Sequence, residues 1–292
     1  MEHGGLLISM ERKRLTASST QREVTRMDEV LYSLKGPKTL FEMTWEEVAE
    51  ALEETDIVLI PVGSTEQHGP HLPLGNDAMQ GRETARRVAS KLAEEEIRVV
   101  VGPTIPFGIA PYHMAFPGTI RLSHSTLKSV IKEVCLSLYQ HGFRKIALLL
   151  SHGGNFGTML VAAEELVQET DAQVVVLNWW RVLMEQYPQM LKSKRPEGHG
   201  GEGETARLLA THPELVEMER ARVFYSEKAD KMDSFDLHPA LGGGVYYPER
   251  DLKETTECGS AGNPTLATRE TGEEQWEATT DWICKIIKRD LV

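Results

Sequence analysis

A short segment near residue 60 concentrates side chains that can bind metals or move protons. The sequence PVGSTEQHGPHLPLGND, residues 61–77, contains Glu66, His68, His71 and Asp77. Glu66 and His68 are two positions apart, so in an extended segment both side chains point to the same side. The glycines and prolines before Asp77 favour a turn that folds back over them. This spacing predicts two ligands of one metal cluster with a third nearby.

Two later segments carry the same residue types. His152 follows the apolar run KIALLL within SHGGN, and His199, Glu202 and Glu204 lie in GHGGEGET. Carboxylate and imidazole ligands without thiolates suit Zn²⁺, Mn²⁺ or Fe²⁺. Several carboxylates held close together repel one another unless cations lie between them, so the set favours two divalent metal ions.

The segments around these residues alternate between two patterns. Continuous apolar runs (DIVLIPVG, IRVVVGPTI, KIALLL and AQVVVLNWW) predict strands, and amphipathic stretches between them predict helices. Strands of this composition indicate a largely parallel sheet covered by helices on both faces. Ligands of such α/β folds bind beyond the carboxyl ends of the strands. Glu66, His68 and His152 all follow predicted strands, so we expect them to meet at that edge.

Local signals predict two helix ends. Thr44 followed by Glu47 has the spacing of a capping box, and Gly142 is expected to close the helix of HSTLKSVIKEVCLSLYQHG. Trp179 and Trp180 are predicted to end the fourth strand, with one in the core and Trp179 as a candidate wall of a substrate pocket.

Other polar residues have simpler interpretations. His71 precedes the apolar LPL and is predicted to be a buried histidine satisfied by the backbone. His113, in APYHMAFPGT, is either a loop residue or a substrate contact. Asn155 either binds substrate or caps the next helix, and capping is favoured.

The composition excludes several functions. Hydrophobic residues are 40% and charged residues 26% of the 292, and the net charge is −12. This balance is that of a globular protein and argues against a nucleic-acid partner. The sequence has no apolar run of about 18 residues, so no membrane span is predicted. Its first residues lack the apolar region of a secretory signal, so secretion is not expected. Its three scattered cysteines favour the cytoplasm.

The chain has two parts by composition. Residues 1–38 are polar with little periodicity, and they predict a flexible N-terminal tail or an arm on a neighbouring subunit. Residues 39–292 contain all the patterned elements and are predicted to form one metal-binding domain.

The motifs together resemble those of the creatininase family. The matching segments are PVGSTEQHGPHLPLGND, FPGTIRL, SHGGN, GHGGEGET and GSAGNPTLATRETG. With the strand that precedes the first of them, the resemblance covers residues 57 to about 272. The resemblance implies a three-layer α/β/α sandwich, two divalent metal ions per chain, hydrolysis of a small amide, and a homo-oligomer that is often a hexamer.

The resemblance also implies a role for each matched residue. Glu66 is expected to bind one metal and His68 the other, with Asp77 bridging them. His152 is expected to share the metal of Glu66, and His199 to carry a proton.

One departure concerns Gly154. In creatininase a glutamate stands at this position, so the missing carboxylate must come from elsewhere, and Glu204 is the candidate. Glu202 is a weaker candidate for a supporting role. Gly153 and Gly154 are expected to leave room for substrate.

These departures leave the substrate open. Family members hydrolyse cyclic amides, formamides or peptide-like C–N bonds, and one group opens a cyclic ketone of inositol breakdown at a C–C bond. The mechanism expected for all of them is attack by a metal-bridging hydroxide on a carbonyl carbon. A non-catalytic, metal-stabilised binding protein is the rival class. This class is disfavoured because structural zinc sites usually complete their four-ligand coordination with thiolates, and this segment has none.

Overall fold

The computed structural model describes residues 36–227 and 250–292, and the sheet within them is entirely parallel. Its four strands are β1 (Ile57–Val62), β2 (Val100–Val101), β3 (Lys145–Leu150) and β4 (Gln173–Leu177). Their order in the sheet is β2-β1-β3-β4. The predicted parallel α/β fold is confirmed.

Seven α-helices surround this sheet within the described residues. They are α1 (Trp45–Leu52), α2 (Asn76–Ala93), α3 (His124–His141), α4 (Phe156–Glu169), α5 (Trp180–Met190), α6 (Glu202–Thr211) and α7 (Arg269–Asp290). Helix α7 packs against α2, α5 and α6, and α3 packs against α4. With right-handed crossovers, this strand order places α2 on one face and α3 and α4 on the other.

The two central strands form the core. All six residues of β1 are buried, as are the last five of β3. Full burial of one such aliphatic side chain stabilises the fold by about 1.5–3 kcal/mol. This core fixes the positions at which the two strands end.

The strand order creates a switch point between β1 and β3. From β1 the chain crosses to β2 on one side, and from β3 it crosses to β4 on the other. The loops after β1 and β3 therefore diverge and leave a crevice at the carboxyl edge, where open α/β sheets bind ligands.

The structure agrees with the predicted helix ends and corrects two predicted strands. Thr44 and Glu47 form the capping box, and Gly142 follows α3 with φ +120°. The second strand is confined to two residues. Gly102 and Ile105 still donate to the carbonyl oxygens of Leu59 and Pro61, but one extra residue between them interrupts the regular ladder. The fourth strand stops at Leu177, and Trp180 begins helix α5, which the sequence interpretation missed.

The predicted tail or arm lies largely outside the described residues. Residues 1–35 are not among them, so that prediction and the boundary at residue 38 stay predictions. In the part of the chain that is described, no helix is both long and apolar enough to cross a bilayer.

Candidate metal centre

The predicted metal-binding side chains converge at the carboxyl edge of the central strands. Glu66 and His68 lie on the loop after β1, His152 follows β3, Asp77 is in the first turn of α2, and Glu204 is in the first turn of α6. All five are buried, with exposed fractions of 6% or less. The five side chains thus come from four separate segments, at the starts of helices and after the ends of strands.

The first ligand group consists of Glu66, Asp77 and His152. His152 Nδ1 lies 3.2 Å from Glu66 Oε1 and 3.0 Å from Asp77 Oδ2. The three residues could hold one metal ion.

The second ligand group lies on the other side of Asp77. His68 Nε2 is 2.9 Å from Asp77 Oδ1 and 3.6 Å from Glu204 Oε2. His68, Glu204 and His199 could also hold an ion. Asp77 therefore presents one carboxylate oxygen to each group, which is the arrangement of a bridging ligand.

The facing atoms of the two groups suit a cation. Glu66 Oε1, His68 Nε2 and Asp77 Oδ2 are buried and make no hydrogen bond of good geometry among the described residues, although His68 and His152 form ion pairs with Asp77. These residues fit divalent metal ions, which would satisfy all three atoms.

The outer nitrogens of the two candidate ligand histidines support the same interpretation. His152 Nε2 lies 2.9 Å from the carbonyl oxygen of Ile109, and His68 Nδ1 lies 3.1 Å from that of Glu66. A carbonyl only accepts, so each of these nitrogens carries a proton and donates it. The opposite nitrogen of each ring then faces the carboxylates, as in histidines that ligate metals.

The electrostatics of the cluster also demand positive charge. Burial lowers the pKa of His68, but the carboxylates of Asp77, Glu204 and Glu66 outweigh it and raise that pKa to about 10. His152 has a raised pKa because Glu66 and Asp77 likewise outweigh its burial. For Asp77, burial raises the pKa, yet the two imidazoles lower it overall. Without metal, protons on the histidines supply the charge that cations would supply.

Metal affinity is therefore expected to rise with pH. Ligating imidazoles must be neutral, so binding displaces the protons held by the raised pKa values of His68 and His152. Each displaced proton gives about a tenfold gain in apparent affinity per pH unit below the pKa. Competition with a chelator at about pH 6, 7 and 8 measures the slope. An apparent affinity that does not change over this range would contradict the proton-held state.

Gly154 has no space for a side chain. A Cβ there would lie 2.3 Å from the carbonyl oxygen of Ile109 and 2.7 Å from His152 Nε2. The protein's own backbone thus requires the glycine, and a carboxylate for the second ligand group must come from another segment. Substrate contact by Gly153 and Gly154 stays a prediction.

Glu204 and Glu202 differ sharply in their surroundings. Glu204 Oε2 faces His68 and also accepts the N–H of Gly200 at 2.7 Å. Both oxygens of Glu202 accept backbone N–H groups, from Lys192 and Ser193 at 2.8 Å each. Glu202 is fully buried and holds a loop, whereas Glu204 faces the cluster.

Substituting these two glutamates should separate their roles. Glu204→Gln is expected to leave about one metal per chain, because a neutral amide is a poorer ligand than a carboxylate for a hard cation. Glu202→Gln is the matched control and should retain wild-type metal content. Metal analysis after dialysis measures both. The reverse result would make Glu202 the ligand and shift our assignment of this loop by two residues.

His113 and His199 lie beside the first ligand group. His113 Nε2 is 3.3 Å and His199 Nδ1 is 3.9 Å from Glu66 Oε1. His113 is buried, and the side chain of His199 is 19% exposed. The sequence interpretation missed their shared neighbour Gln67, which is 5% exposed and stands between Glu66 and His68 in the motif.

Burial lowers the pKa of both of these histidines. After burial, the largest causes are electrostatic: His199 and His152 lower the pKa of His113, and His68 lowers the pKa of His199. Both rings are therefore neutral near pH 7, in contrast to His68.

Trp179 and His71, two further residues named from the sequence, are both buried. Trp179 has no exposed surface and stacks on Trp180, with ring centroids 4.8 Å apart, and its role as a substrate wall stays a prediction. His71 is buried as predicted, but Nε2 contacts the Thr205 hydroxyl at 2.9 Å instead of the backbone.

The capping prediction for Asn155 is wrong. Its side chain does not cap α4. The amide oxygen accepts the N–H of Ile109 at 2.9 Å, and the amide nitrogen donates to the carbonyl oxygens of Gly63 and Val62 at 2.9 and 3.2 Å. Asn155 is fully buried and connects the loop of Ile109 to the segment that leads to the candidate ligand Glu66, a role that depends on tertiary contacts.

A buried, mixed carboxylate and imidazole cluster at the switch point of a parallel sheet is a candidate site for divalent metal ions. The family model for creatinine amidohydrolase matches residues 41–287. The chain belongs to the creatininase family of hydrolases, as its motifs indicate.

Individual relatives agree with this assignment. The 3-dehydro-scyllo-inosose hydrolase of Thermotoga maritima is 30% identical over 275 residues, covering 86% of this chain and 82% of that protein. The creatinine amidohydrolase of Pseudomonas putida is 28% identical over 269 residues, covering 86% and 96%. A solved structure of creatininase with Mn has a TM-score of 0.71 at 25% identity, covering 87% of this chain and 100% of that one.

Proposed function

We propose that this protein is a dinuclear metal-dependent hydrolase of a small amide. The observation that carries the proposal is Asp77, whose two oxygens face two separate ligand groups. Glu66 and His152 would hold one divalent ion, and His68 and Glu204 the other. Zn and Mn are supported by creatininase structures that contain these metals.

When bound, the two ions would lower the pKa of a water molecule and polarise a carbonyl oxygen. The chain itself supplies the proton transfer. His199 donates from Nε2 to the carbonyl oxygen of Gln67, which leaves Nδ1 facing Glu66 and the cluster. Its lowered pKa keeps the imidazole neutral, so Nδ1 can take a proton and return it to the leaving nitrogen.

The burial of the ligands suits this chemistry. Because Glu66, His68 and Asp77 are each at most 2% exposed, their charges act in a medium of low dielectric constant. Charge that develops on the substrate is then stabilised more strongly than in water.

A second candidate is hydrolysis of a cyclic ketone. The observation in its favour is the 30% identity to 3-dehydro-scyllo-inosose hydrolase over 86% of the chain. The same residues would act, except that His199 would return its proton to carbon after a C–C bond breaks.

A substrate screen with metal-reconstituted protein distinguishes these candidates. Creatinine, a formamide, a short peptide and 3-dehydro-scyllo-inosose represent the alternatives. We expect turnover of one class that chelation abolishes and added Zn²⁺ or Mn²⁺ restores. Turnover that persists without metal would contradict the proposal.

The protein is also proposed to form a homo-oligomer, with a hexamer expected from the family resemblance. Phe41 is 88% and Trp45 is 78% exposed, and large exposed apolar side chains are typical of interaction surfaces. Sedimentation at micromolar concentration should give a mass several times 32.7 kDa. A monomer would contradict the expectation.

The cytoplasm is proposed as the location because Cys135, Cys258 and Cys284 are all free.

A further inference from the structure

The side chain of Gln67 connects the ligand loop to His113. Its amide nitrogen lies 2.8 Å from His113 Nδ1 and 2.8 Å from the carbonyl oxygen of Gly259. Its amide oxygen accepts the N–H of Gly69 at 3.0 Å. Gln67 is nearly fully buried, so these partners replace solvent.

Two backbone groups fix the orientation of this amide. The carbonyl of Gly259 can only accept, so it must face the amide nitrogen. The N–H of Gly69 can only donate, so it must face the amide oxygen. The usual ambiguity between the oxygen and nitrogen of a glutamine is therefore removed without reference to any histidine.

The fixed amide determines which nitrogen of His113 carries the proton. The nitrogen of Gln67 donates one proton to Gly259 and has the other for His113 Nδ1. A donor facing Nδ1 requires Nδ1 to accept, so the proton of the neutral ring is on Nε2. That N–H lies beside the cluster, 3.3 Å from Glu66 Oε1. These two atoms do not meet in hydrogen-bond geometry.

His199 is also protonated on Nε2, but it presents its other nitrogen, Nδ1, to the cluster. Its Nε2 lies 3.2 Å from the amide nitrogen of Gln67 but also contacts the backbone carbonyl oxygen of Gln67. The carbonyl can only accept, so His199 Nε2 is a donor and receives nothing from the amide. Gln67 thus fixes which nitrogen is protonated in both rings. Next to Glu66, His113 presents an N–H and His199 presents an unprotonated nitrogen.

The loop that contains Gly259 approaches the side chain of Gln67 closely. Gly259 has φ +81°, and a Cβ there would lie 2.0 Å from the amide oxygen of Gln67. Only glycine allows the loop to approach closely enough for its carbonyl to hold the amide.

We propose that Gln67 is a positioning residue that keeps the proton of His113 on Nε2, and that His113 donates this N–H to the substrate oxygen. His113 would then not bind a metal, although Glu66, His113 and His199 lie close enough together to hold one. The donor role toward substrate rests on the proposed hydrolase function, whereas the proton position and the metal count do not.

Two measurements test the proposal without turnover. Metal analysis of His113→Leu should give the wild-type content, whereas loss of one metal would make His113 a ligand and overturn the proposal. In ¹⁵N-histidine spectra of the Zn²⁺-loaded protein, the signals that disappear in His113→Gln identify the ring. They should show a protonated Nε2 and an unprotonated Nδ1, and the reverse pattern would also overturn it.

Kinetics test the donor role. His113→Leu should lower kcat about 10²–10³-fold with little change in KM, as loss of an oxyanion donor does. His113→Gln retains an N–H donor and should recover part of that loss. Gln67→Met is nearly isosteric and should cost about 10–100-fold, as is typical of an outer partner.

A double-mutant cycle separates positioning from a general structural role. If Gln67 acts through His113, then Gln67→Met combined with His113→Leu should be no slower than His113→Leu alone. Additive losses would show that Gln67 acts independently and would contradict the proposal. Gln140→Met, at an exposed position of α3, is the control and should retain wild-type kcat. If the wild type cleaves none of the proposed substrates, the proposed function fails, and the spectra and metal counts still decide the proton position.

Discussion

Asp77→Ala is expected to remove both metals and abolish turnover. Asp77 Oδ1 faces His68 and Asp77 Oδ2 faces His152, so a single substitution takes one ligand from each group. The lost carboxylate also leaves two histidines with raised pKa values and one fewer counter-charge. Metal content per chain, measured after reconstitution and dialysis, should fall from about two to near zero.

The control for this variant is another aspartate. Asp171 precedes β4 at the amino edge of the sheet, and its side chain is 79% exposed. Asp171→Ala should therefore keep both metals. Circular dichroism of both variants shows whether the fold persists, and Asp77→Asn provides an isosteric version. If folded Asp77→Ala or Asp77→Asn retained two metals, the bridging assignment would be wrong.

His199→Ala is expected to keep both metals and lose about 10²–10⁴-fold in kcat. This is the usual magnitude of general acid–base catalysis. The reason is geometric, because Nε2 is held by the Gln67 carbonyl while Nδ1 faces the cluster at 3.9 Å from Glu66.

His141→Ala is the matched control, since it removes an exposed histidine at the end of α3. It should not change kcat or metal content. His199 also lies within reach of a metal held by His68 and Glu204. If His199→Ala lost one metal, His199 would be a metal ligand. If its kcat stayed within a few-fold of the wild-type value, His199 would not be the proton carrier.

The parts of the fold that follow from local pattern were predictable. β1 and β3 are continuous apolar runs because both of their faces are buried, so their ends could be placed to within a residue or two. Since parallel strands end at one edge, the meeting of Glu66, His68 and His152 also followed. The capping box at Thr44 needed only a four-residue signal.

The parts that depend on distant contacts were not predictable. Asn155 has the residue type of a helix cap, but its amide is occupied by backbone groups from two other loops. The proton-fixing role of Gln67 requires Gly259, which is 192 residues away in the chain. Helix α5 was missed because two tryptophans after an apolar run extend a strand pattern, whereas packing against α7 favours a helix.

The proposed dinuclear centre requires Asp77 to lie between two metal ions. This arrangement can be tested by anomalous diffraction from crystals of the reconstituted protein, recorded at the absorption edge of the added metal. Two peaks per chain are expected on opposite sides of Asp77, one beside Glu66 and His152 and the other beside His68 and Glu204. A single peak, or a peak beside Glu66, His113 and His199 with none at Asp77, would contradict it.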